Sequence, residues 1–269
     1  MKTILVLLFS VFAFCFKPVS EKRFVNAFTS GGSIGSANNK TSGTTLTITP
    51  TTTIKTGALI IICTASDNTI VFGGSDGSSE IVSIRDDANN VWQFADGFVN
   101  IQTGAGAGAT AEIWYCYITS QLTTSNTITI TWITSRTAKA ATAWYFTKPH
   151  GNTITVASHA GLENDNADAG SITLGSLSNI EHIFVRCTAH EGVNGDSYTG
   201  TTNYTQFSAD GTTGGGAATN MSVRAEFRIL TATSSSTDPT YTTTDHASCM
   251  ASFDEVAQTI PANAKGLFK

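Results

Sequence analysis

An acidic turn at residues 86–90 carries oxygen atoms of the kind that bind calcium in proteins. Its candidate ligands are the carboxylates of Asp86 and Asp87 and the side-chain amide of Asn89. Asp and Asn are also frequent turn formers, because their side chains bond the local backbone and tolerate a left-handed φ. The segment therefore predicts a tight turn first, with a calcium site as the alternative.

A second acidic segment, residues 163–168, offers Asp165 and Asp168 as further calcium candidates. It lacks the Asp-x-Asp-x-Asp-Gly spacing and the distal Glu of an EF-hand loop. None of the cysteines belongs to a CxxC pair, so the spacing does not suggest zinc either. We expect a polar loop here, and we assign the protein no metal and no cofactor.

His190 and Glu191, with Asp196 a few residues further on, are residue types that perform general acid–base catalysis. They lie where a predicted strand enters a Gly/Asn-rich loop, a place at which polar residues are expected in any case. The chain has no Gly-x-Ser-x-Gly motif, and a carboxylate pair for glycoside hydrolysis is defined by a distance in space. We therefore expect no enzymatic activity.

Tyr198 and Tyr204 follow in the same polar region, and tyrosine rings can stack on the faces of sugars. Together with His190 and Glu191 they are the candidate ligand-binding residues, with a glycan as the ligand class. The glycine-rich residues 103–110 contain no Lys and precede no predicted helix, so they do not form a phosphate-binding loop.

Four of the five cysteines, Cys63, Cys116, Cys187 and Cys249, fall within predicted strands. The fifth, Cys15, lies in an apolar run near the N-terminus. The strand positions favour buried thiols that pack as small apolar groups. Two disulfides are the alternative for an exported protein, and the spacing does not say which cysteines would pair.

The elements that position these residues are predicted to be strands. Residues 111–119, 127–133 and 139–147 are three consecutive runs in which side chains of different character alternate. A period of two puts successive side chains on opposite faces of a sheet. The connections are short and polar, which predicts antiparallel neighbours. Residues 58–63 are apolar on both faces and predict a central strand that is covered on each side.

Further alternating runs complete an all-β pattern. They are residues 24–30, 44–49, 80–85, 91–99, 153–158, 171–174, 182–189, 204–208, 221–230 and 247–256. The polar stretches between strands that we expect to be loops are residues 31–43, 163–170, 191–202, 209–220 and 231–244. The predicted fold is an antiparallel, jelly-roll-like β-sandwich over residues 24–256, with two sandwiches divided near residue 150 as the alternative.

Both ends of the chain carry apolar residues. Residues 1–23 carry Lys2 near their start, followed by an apolar run of about 13 residues, which is too short to span a bilayer. This segment is either a signal peptide or an arm retained for assembly. Residues 257–269 form a C-terminal tail that contains Leu267 and Phe268. A retained arm favours an oligomer, with residues 24–30 adding a strand to the sheet edge of a neighbouring copy.

Composition excludes one class of partner. Charged residues make up 13% of the chain and hydrophobic residues 41%, with a net charge of −5. The low charge and the many hydroxyl side chains suit a β-rich protein rather than a disordered one. Because no Lys/Arg cluster is present, we expect no nucleic acid as a partner.

The order of the elements carries a resemblance. A strand is followed by the turn Asp87-Ala88-Asn89-Asn90-Val91-Trp92, a glycine-rich gap, Ile113-Trp114-Tyr115, residues 127–132 and a closing aromatic strand. This order resembles the β-sandwich proteins, jelly-roll or Ig-like, of the virion surface of tailed bacteriophages. The resemblance covers mainly residues 24–147.

The resemblance implies a non-enzymatic structural protein of a virus particle surface, such as a capsid decoration or a fibre. Its partners would be copies of itself and other virion proteins. The signal-like N-terminus, which a protein assembled in the cytoplasm does not need, supports an alternative. That alternative is a secreted cell-surface adhesin or filament subunit, including a form that binds host surface glycans. The two hypotheses predict different locations, the virion surface and the extracellular space.

Overall fold

The computed structural model describes residues 28–67, 77, 79–100, 108–148, 153–167, 170–216, 219–241 and 244–256. In these residues the chain forms strands and no α-helix, so the all-β fold class is confirmed. The predicted N-terminal segment, Cys15, Asp168 and the C-terminal tail lie outside the described residues. No helix in the described ranges is long and apolar enough to cross a membrane.

The strands follow one another closely along the chain. They are β1 (Thr29–Asn39), β2 (Gly43–Ile48), β3 (Leu59–Asp67), β4 (Ile81–Asp86), β5 (Trp92–Val99), β6 (Ala109–Tyr117), β7 (Ile128–Arg136), β8 (Lys139–Thr147), β9 (Thr153–Ala167), β10 (Ile172–Leu174), β11 (Ile180–Glu191), β12 (Tyr198–Thr199), β13 (Thr205–Gln206), β14 (Asp210–Gly211), β15 (Met221–Ala232), β16 (Ser235–Thr237), β17 (Thr240–Tyr241) and β18 (Thr244–Val256).

Antiparallel pairing gathers these strands into three main sheets. The central sheet has the order β1-β8-β3-β6-β5, and the short sheet has the order β2-β7-β4. The long sheet has the order β13-β15-β11-β18-β9, with β14 also paired to β15. Two ribbons, β10-β16 and β12-β17, accompany the long sheet.

Strand β3 shows that the central sheet is the middle layer of the molecule. Ile60 and Ile62 belong to the apolar cluster shared with the short sheet, whereas Ile61 and Cys63 belong to the cluster shared with the long sheet. All four side chains are fully buried. The prediction that residues 58–63 form a central strand covered on each side is therefore confirmed, and the sandwich has three layers.

The strands predicted at residues 111–119, 127–133 and 139–147 are present as β6, β7 and β8, but they do not lie side by side. β6 and β8 pair with the two edges of β3, whereas β7 pairs with β2 and β4 in the short sheet. The predicted antiparallel pairing of these neighbours was wrong. A short polar loop can cross the about 10 Å between stacked sheets as well as the about 4.8 Å between paired strands, so loop length does not decide between them.

Strand β1 occupies most of the glycine-rich stretch 31–43, which was predicted to be a loop. It pairs with β8 from Thr29 to Asn39, so residues 29 and 30 lie in a sheet of their own chain. Register shifts occur at Gly32 and Gly35, and both residues have a positive φ that glycine adopts without strain. These bulges allow a glycine-rich sequence to follow the edge of the central sheet.

The acidic segment 163–168 was also predicted to be a loop, but β9 continues to Ala167 and pairs with β18. The predicted loops 191–202, 209–220 and 231–244 likewise contain the short strands β12, β14, β16 and β17. Except for β14, which pairs with the nearby β15, the pairing partner lies far away in sequence, so the polar composition of the segment hides the strand.

The two halves of the chain build different sheets. Residues 28–148 form the central and short sheets, and residues 153–256 form the long sheet and the ribbons. Ile61 and Phe146 from the first half share one apolar cluster with Val185 and Phe253 from the second half. The chain thus changes sheets near residue 150, and both halves contribute to the same core.

Candidate functional site

Polar side chains share the outer face of the long sheet, beneath the two ribbons, with a small apolar cluster around Phe184 and Met250. In β11 the strand alternation sends Cys187 and Ala189 into the core against the central sheet. It sends Arg186 and His190 to the opposite face, where both are fully buried. Because buried polar side chains require partners, this layer is the first place to look for a functional site.

His190 lies at one end of a stack of aromatic rings that we call the aromatic column. The ring of Tyr241 in β17 stacks on His190 with centroids 5.4 Å apart, and the ring of Tyr198 in β12 stacks on Tyr241 at 6.1 Å. His246 of β18, which is opposite His190 in the sheet, meets Tyr241 edge-on at 5.1 Å. The column therefore fixes the β12-β17 ribbon over the end of the long sheet.

Charged residues on the same face hold the neighbouring segments in place. Arg186 Nη1 donates to the carbonyl of Gly170 at 2.9 Å and to Thr237 Oγ1 at 3.2 Å, which attaches the β10-β16 ribbon. Glu226 of β15 accepts hydrogen bonds from the N–H and the hydroxyl of Thr201, at 2.8 and 2.6 Å. These charges are thus used to close the structure over the sheet.

Gly192 sits between the two residues that suggested acid–base chemistry. A Cβ atom at this position would lie 2.2 Å from Asp196 Oδ2 and 2.9 Å from His190 Cδ2, so both side chains crowd a site that only glycine fits. Arg224 secures the loop by donating to the carbonyls of Asn194 at 3.2 Å and Asp196 at 3.4 Å. His190 and Asp196 are therefore brought close together, although their sequence spacing alone did not require it.

His190 is a neutral imidazole in this environment. Burial, together with the smaller effects of the charges of Arg224 and His246, lowers its pKa to about 3. Neither ring nitrogen of His190 has a hydrogen-bond partner in the described residues. A general base requires a pKa near the working pH and a route to the proton that it takes, and the low pKa of His190 does not suit that role.

The other two predicted ligand residues lie apart from the aromatic column. Glu191 points away from His190 and accepts the N–H of Gly108 at 3.0 Å, while burial and the charge of Asp245 raise its pKa to about 7. The hydroxyl of Tyr204 is 2.7 Å from Ser235 Oγ. The structure thus unites His190 with Tyr198, whereas Glu191 and Tyr204 are not part of the aromatic column.

The acidic turn at residues 86–90 uses its oxygens within the protein. Asp86 Oδ1 accepts the backbone N–H groups of Ala88 at 2.9 Å and Asn90 at 3.1 Å, and Oδ2 accepts Trp92 Nε1 at 2.8 Å. Asn89 has a φ of 57°, the left-handed conformation that asparagine tolerates in turns. This geometry is that of a turn built around one carboxylate.

The remaining calcium candidates do not converge on this turn. Asp87 Oδ2 accepts the N–H and the hydroxyl of Thr127 at 2.6 and 3.0 Å. Asp165 lies in β9, far along the chain in a different sheet. In the part of the chain that the structure describes, no group of three or more His, Cys, Asp or Glu side chains has a metal-binding arrangement.

Sequence reasoning missed a buried ionic network between the central and short sheets. Glu80 and Arg136 form an ion pair at 2.7 Å, and Thr110 Oγ1 donates to the same Glu80 oxygen at 2.9 Å. Glu112 Oε1 accepts the backbone N–H of Glu80 at 2.8 Å, and its Oε2 accepts Trp114 Nε1 at 2.9 Å. Burial raises the pKa of Glu112 to about 7 against these hydrogen bonds. A charged residue inside an apolar strand was the signal that could have revealed this network.

A groove beside β8 is a second feature that the sequence did not show. It encloses about 420 Å³ and is lined by Thr53, Lys55, Thr56, Gly57, Ala58, Tyr145, Thr147 and Lys148. The Lys148 ammonium lies 4.6 Å from the centre of the Tyr117 ring and 3.5 Å from Glu255 Oε1. Hydroxyl groups, a tyrosine ring and the Lys55 side chain thus meet at one concave surface, whereas the Lys148 ammonium is buried against Glu255.

Comparison with protein-family models, with curated proteins and with solved structures finds no match for this chain.

Proposed function

We propose that this chain is a non-enzymatic structural protein of a virus particle surface, where it acts through protein–protein assembly. The observation that carries the proposal is that the ionisable side chains named next are buried, and that most of them bond to other parts of the same chain. Glu80, Arg136, Arg186 and Glu226 are buried and bonded within the fold, and His190 is buried and neutral. Side chains used in this way stabilise a shell.

The exposed surface of the short sheet suits assembly. Strands β2 and β7 place Thr45 opposite Thr131 and Thr47 opposite Thr129, which makes a regular hydroxyl surface. Val82 and Ile133, at 62% and 53% exposure, add apolar groups on the strands β4 and β7 of the same sheet. Exposed apolar groups beside hydroxyl residues are typical of surfaces that dock on other proteins.

Strand edges offer a second means of contact. β9 is 15 residues long and pairs only with β18 in the described residues, so it lies at one edge of the long sheet. A long edge strand exposes backbone donors and acceptors that can pair with another chain. Copies of the same protein are the simplest partners for such an edge, because like edges can pair about a twofold axis.

The test is the protein content of purified particles from the source of the sequence. Peptide mass spectrometry should find this chain at a constant ratio to the major capsid protein, and antibodies against it should label the particle surface. The double variant Val82→Asp with Ile133→Asp should fold and yet be lost from particles, whereas Lys55→Asp should be retained. Absence of the chain from purified particles would refute the proposal.

A second candidate function is that of a secreted adhesin that binds acidic host glycans, and the groove beside β8 favours it. Lys55 suits a carboxylate or sulfate group, and Tyr145 offers a ring face for a sugar. The volume of the groove lies within the range of ligand sites, about 300–1,000 Å³.

A glycan array with the full chain tests this second function. Binding to acidic glycans should be lost in Lys55→Glu and Tyr145→Ala and kept in Arg85→Glu, a charge change on the short sheet. Equal binding by all variants, or none by the unmodified chain, would count against it. N-terminal sequencing separates the two functions, because a start near residue 24 indicates export and an intact Met1 indicates assembly inside a cell.

A further inference from the structure

Three of the four described cysteines meet at one point between the central and long sheets. Cys187 of β11 is directly opposite Cys249 of β18 in the antiparallel ladder. Cys63 approaches from β3 of the facing sheet, and the Cys187 thiol donates to the carbonyl of its neighbour Thr64 at 3.3 Å. The Cys187 thiol is within hydrogen-bond contact of the thiols of both Cys63 and Cys249. Cys187 is therefore the middle member of the group.

Cys116 is excluded from this group by its position in the sheet. It belongs to the apolar cluster on the opposite face of the central sheet, against the short sheet. Its thiol donates to the carbonyl of Tyr117 at 3.6 Å. The central sheet thus separates Cys116 from the other three thiols, although all four are fully buried.

The spacing within the group suits a disulfide. Residues directly opposite in an antiparallel pair have Cα atoms about 4.5–5.5 Å apart, which lies within the range of about 4.4–6.8 Å that disulfides span. Cys63 and Cys187 lie in facing sheets with their thiols in hydrogen-bond contact, and a bond between them would join two layers. Since both bonds use the same sulfur, only one of them can exist in a molecule at a time.

We propose that Cys63, Cys187 and Cys249 form a disulfide site that holds a single bond, always through Cys187, to one or the other of its neighbours. Formation removes two electrons and two protons from the two thiols. A small-molecule disulfide such as oxidised glutathione accepts them and leaves as two thiols. While the chain is still open to solvent, the bond can move, because the thiolate of the third cysteine attacks Cys187 and releases the first neighbour as a thiolate.

The surroundings of the three thiols affect their pKa values differently, as the middle position of Cys187 would predict. Burial opposes ionisation of its thiol, but hydrogen bonds from Cys249 and Cys63 hold its pKa below the usual range. Burial raises the pKa of both Cys63 and Cys249. Because the site is closed in the folded protein, we expect the bond to form and to exchange during folding, before the core closes around the three thiols.

The test is refolding of the full denatured chain in a buffer of reduced and oxidised glutathione. Remaining thiols are then alkylated under denaturing conditions, and the peptides are mapped without reduction. We expect one disulfide per molecule, Cys187 to Cys63 or Cys187 to Cys249, with Cys116 alkylated throughout. Reduction should lower the Tm by about 5–15 °C.

Single variants keep the test decisive if one of them fails to fold. Cys187→Ala should abolish the bond, whereas Cys63→Ala and Cys249→Ala should each retain the other bond to Cys187. Cys116→Ala is the matched control, a buried thiol in the other core, and should leave the peptide map unchanged. A disulfide that includes Cys116, a Cys63–Cys249 bond in the unmodified chain, or complete alkylation after oxidative refolding would overturn the proposal.

Discussion

The carboxylate of Glu80 lies 2.7 Å from the guanidinium of Arg136, and both side chains are withdrawn from solvent. Their contact joins the segment that precedes β4 to the end of β7. Through its backbone N–H, Glu80 also bonds Glu112 of the central sheet at 2.8 Å. The short sheet and the central sheet are therefore connected by a hydrogen bond to a buried carboxylate as well as by apolar contact.

Removing one partner of this pair should be costly. Arg136→Met leaves the Glu80 carboxylate buried without its counter-charge, and we expect the free energy of unfolding to fall by about 3–5 kcal/mol. Urea unfolding measures the change. Adding Glu80→Gln to Arg136→Met should restore part of the loss, because no charge is then buried. A loss in Arg136→Met as small as that in the exposed control Arg85→Met, about 0.5 kcal/mol or less, would contradict the prediction.

Glu112 should make stability depend on pH. Burial raises its pKa from the ordinary 4.5 to about 7. The folded state therefore holds the Glu112 proton more tightly than the unfolded state does. The contribution of this proton to the free energy of unfolding is complete below pH 4.5 and is lost as the pH rises to about 7. The size of the loss is about 3 kcal/mol.

Glu112→Gln tests the source of this pH dependence. Its amide oxygen can still accept the N–H groups of Glu80 and Ile81, but its amide nitrogen would face Trp114 Nε1. We expect a variant that is less stable at pH 5 and has a flatter stability curve between pH 5 and 7.5, as measured by urea unfolding. The same slope in the variant and the unmodified protein would assign the pH dependence to other groups, among them Glu191.

The aromatic column should control the protonation of His190. Tyr241→Ala uncovers the imidazole to water, and because burial is the main cause of its low pKa, the pKa should rise from about 3 toward 6.5. An NMR titration of the histidine ring protons measures the pKa. Tyr241→Phe keeps the stacked ring and should leave the value nearly unchanged. If the pKa of His190 is the same in Tyr241→Ala and in Tyr241→Phe, the Tyr241 ring is not what excludes water from His190.

Calcium should leave the turn at residues 86–90 unaffected, because Asp86 already accepts four hydrogen bonds there. We expect the same Tm in millimolar calcium and in EDTA, with magnesium as the control. Asp86→Ala should cost about 2–3 kcal/mol, since it leaves the donors of Ala88, Asn90 and Trp92 without their acceptor. A Tm that rises and saturates with calcium alone would make the site a metal site instead.

Several features of the fold could be predicted because they depend on neighbouring residues. The alternation of Thr129 and Thr131 with Ile128 and Ile130 predicts a strand with one buried face, and the structure shows β7 in that form. The unbroken apolar run 58–63 predicts a strand covered on both faces, since either face would otherwise meet water. Burial of the strand cysteines followed from the same pattern and is confirmed.

Which strands pair with each other, and which distant segments come together, were decided only by the tertiary structure. Nothing in the sequence around Tyr115 distinguishes pairing with β3 from pairing with β7, because the apolar pattern specifies a buried face and not the strand beside it. Likewise, β1 and the end of β9 become strands because distant partners, β8 and β18, supply their hydrogen bonds. Local composition does not record those partners.

The candidate site shows the same division. The sequence identified His190 and Tyr198 as residues with chemistry, but Tyr241, which joins them, is 51 and 43 positions away along the chain. Cys187 and Cys63 are also neighbours only because two sheets stack face to face. A period of two determines which face a side chain occupies. Which other face it meets depends on how the layers pack, and that is a property of the whole chain.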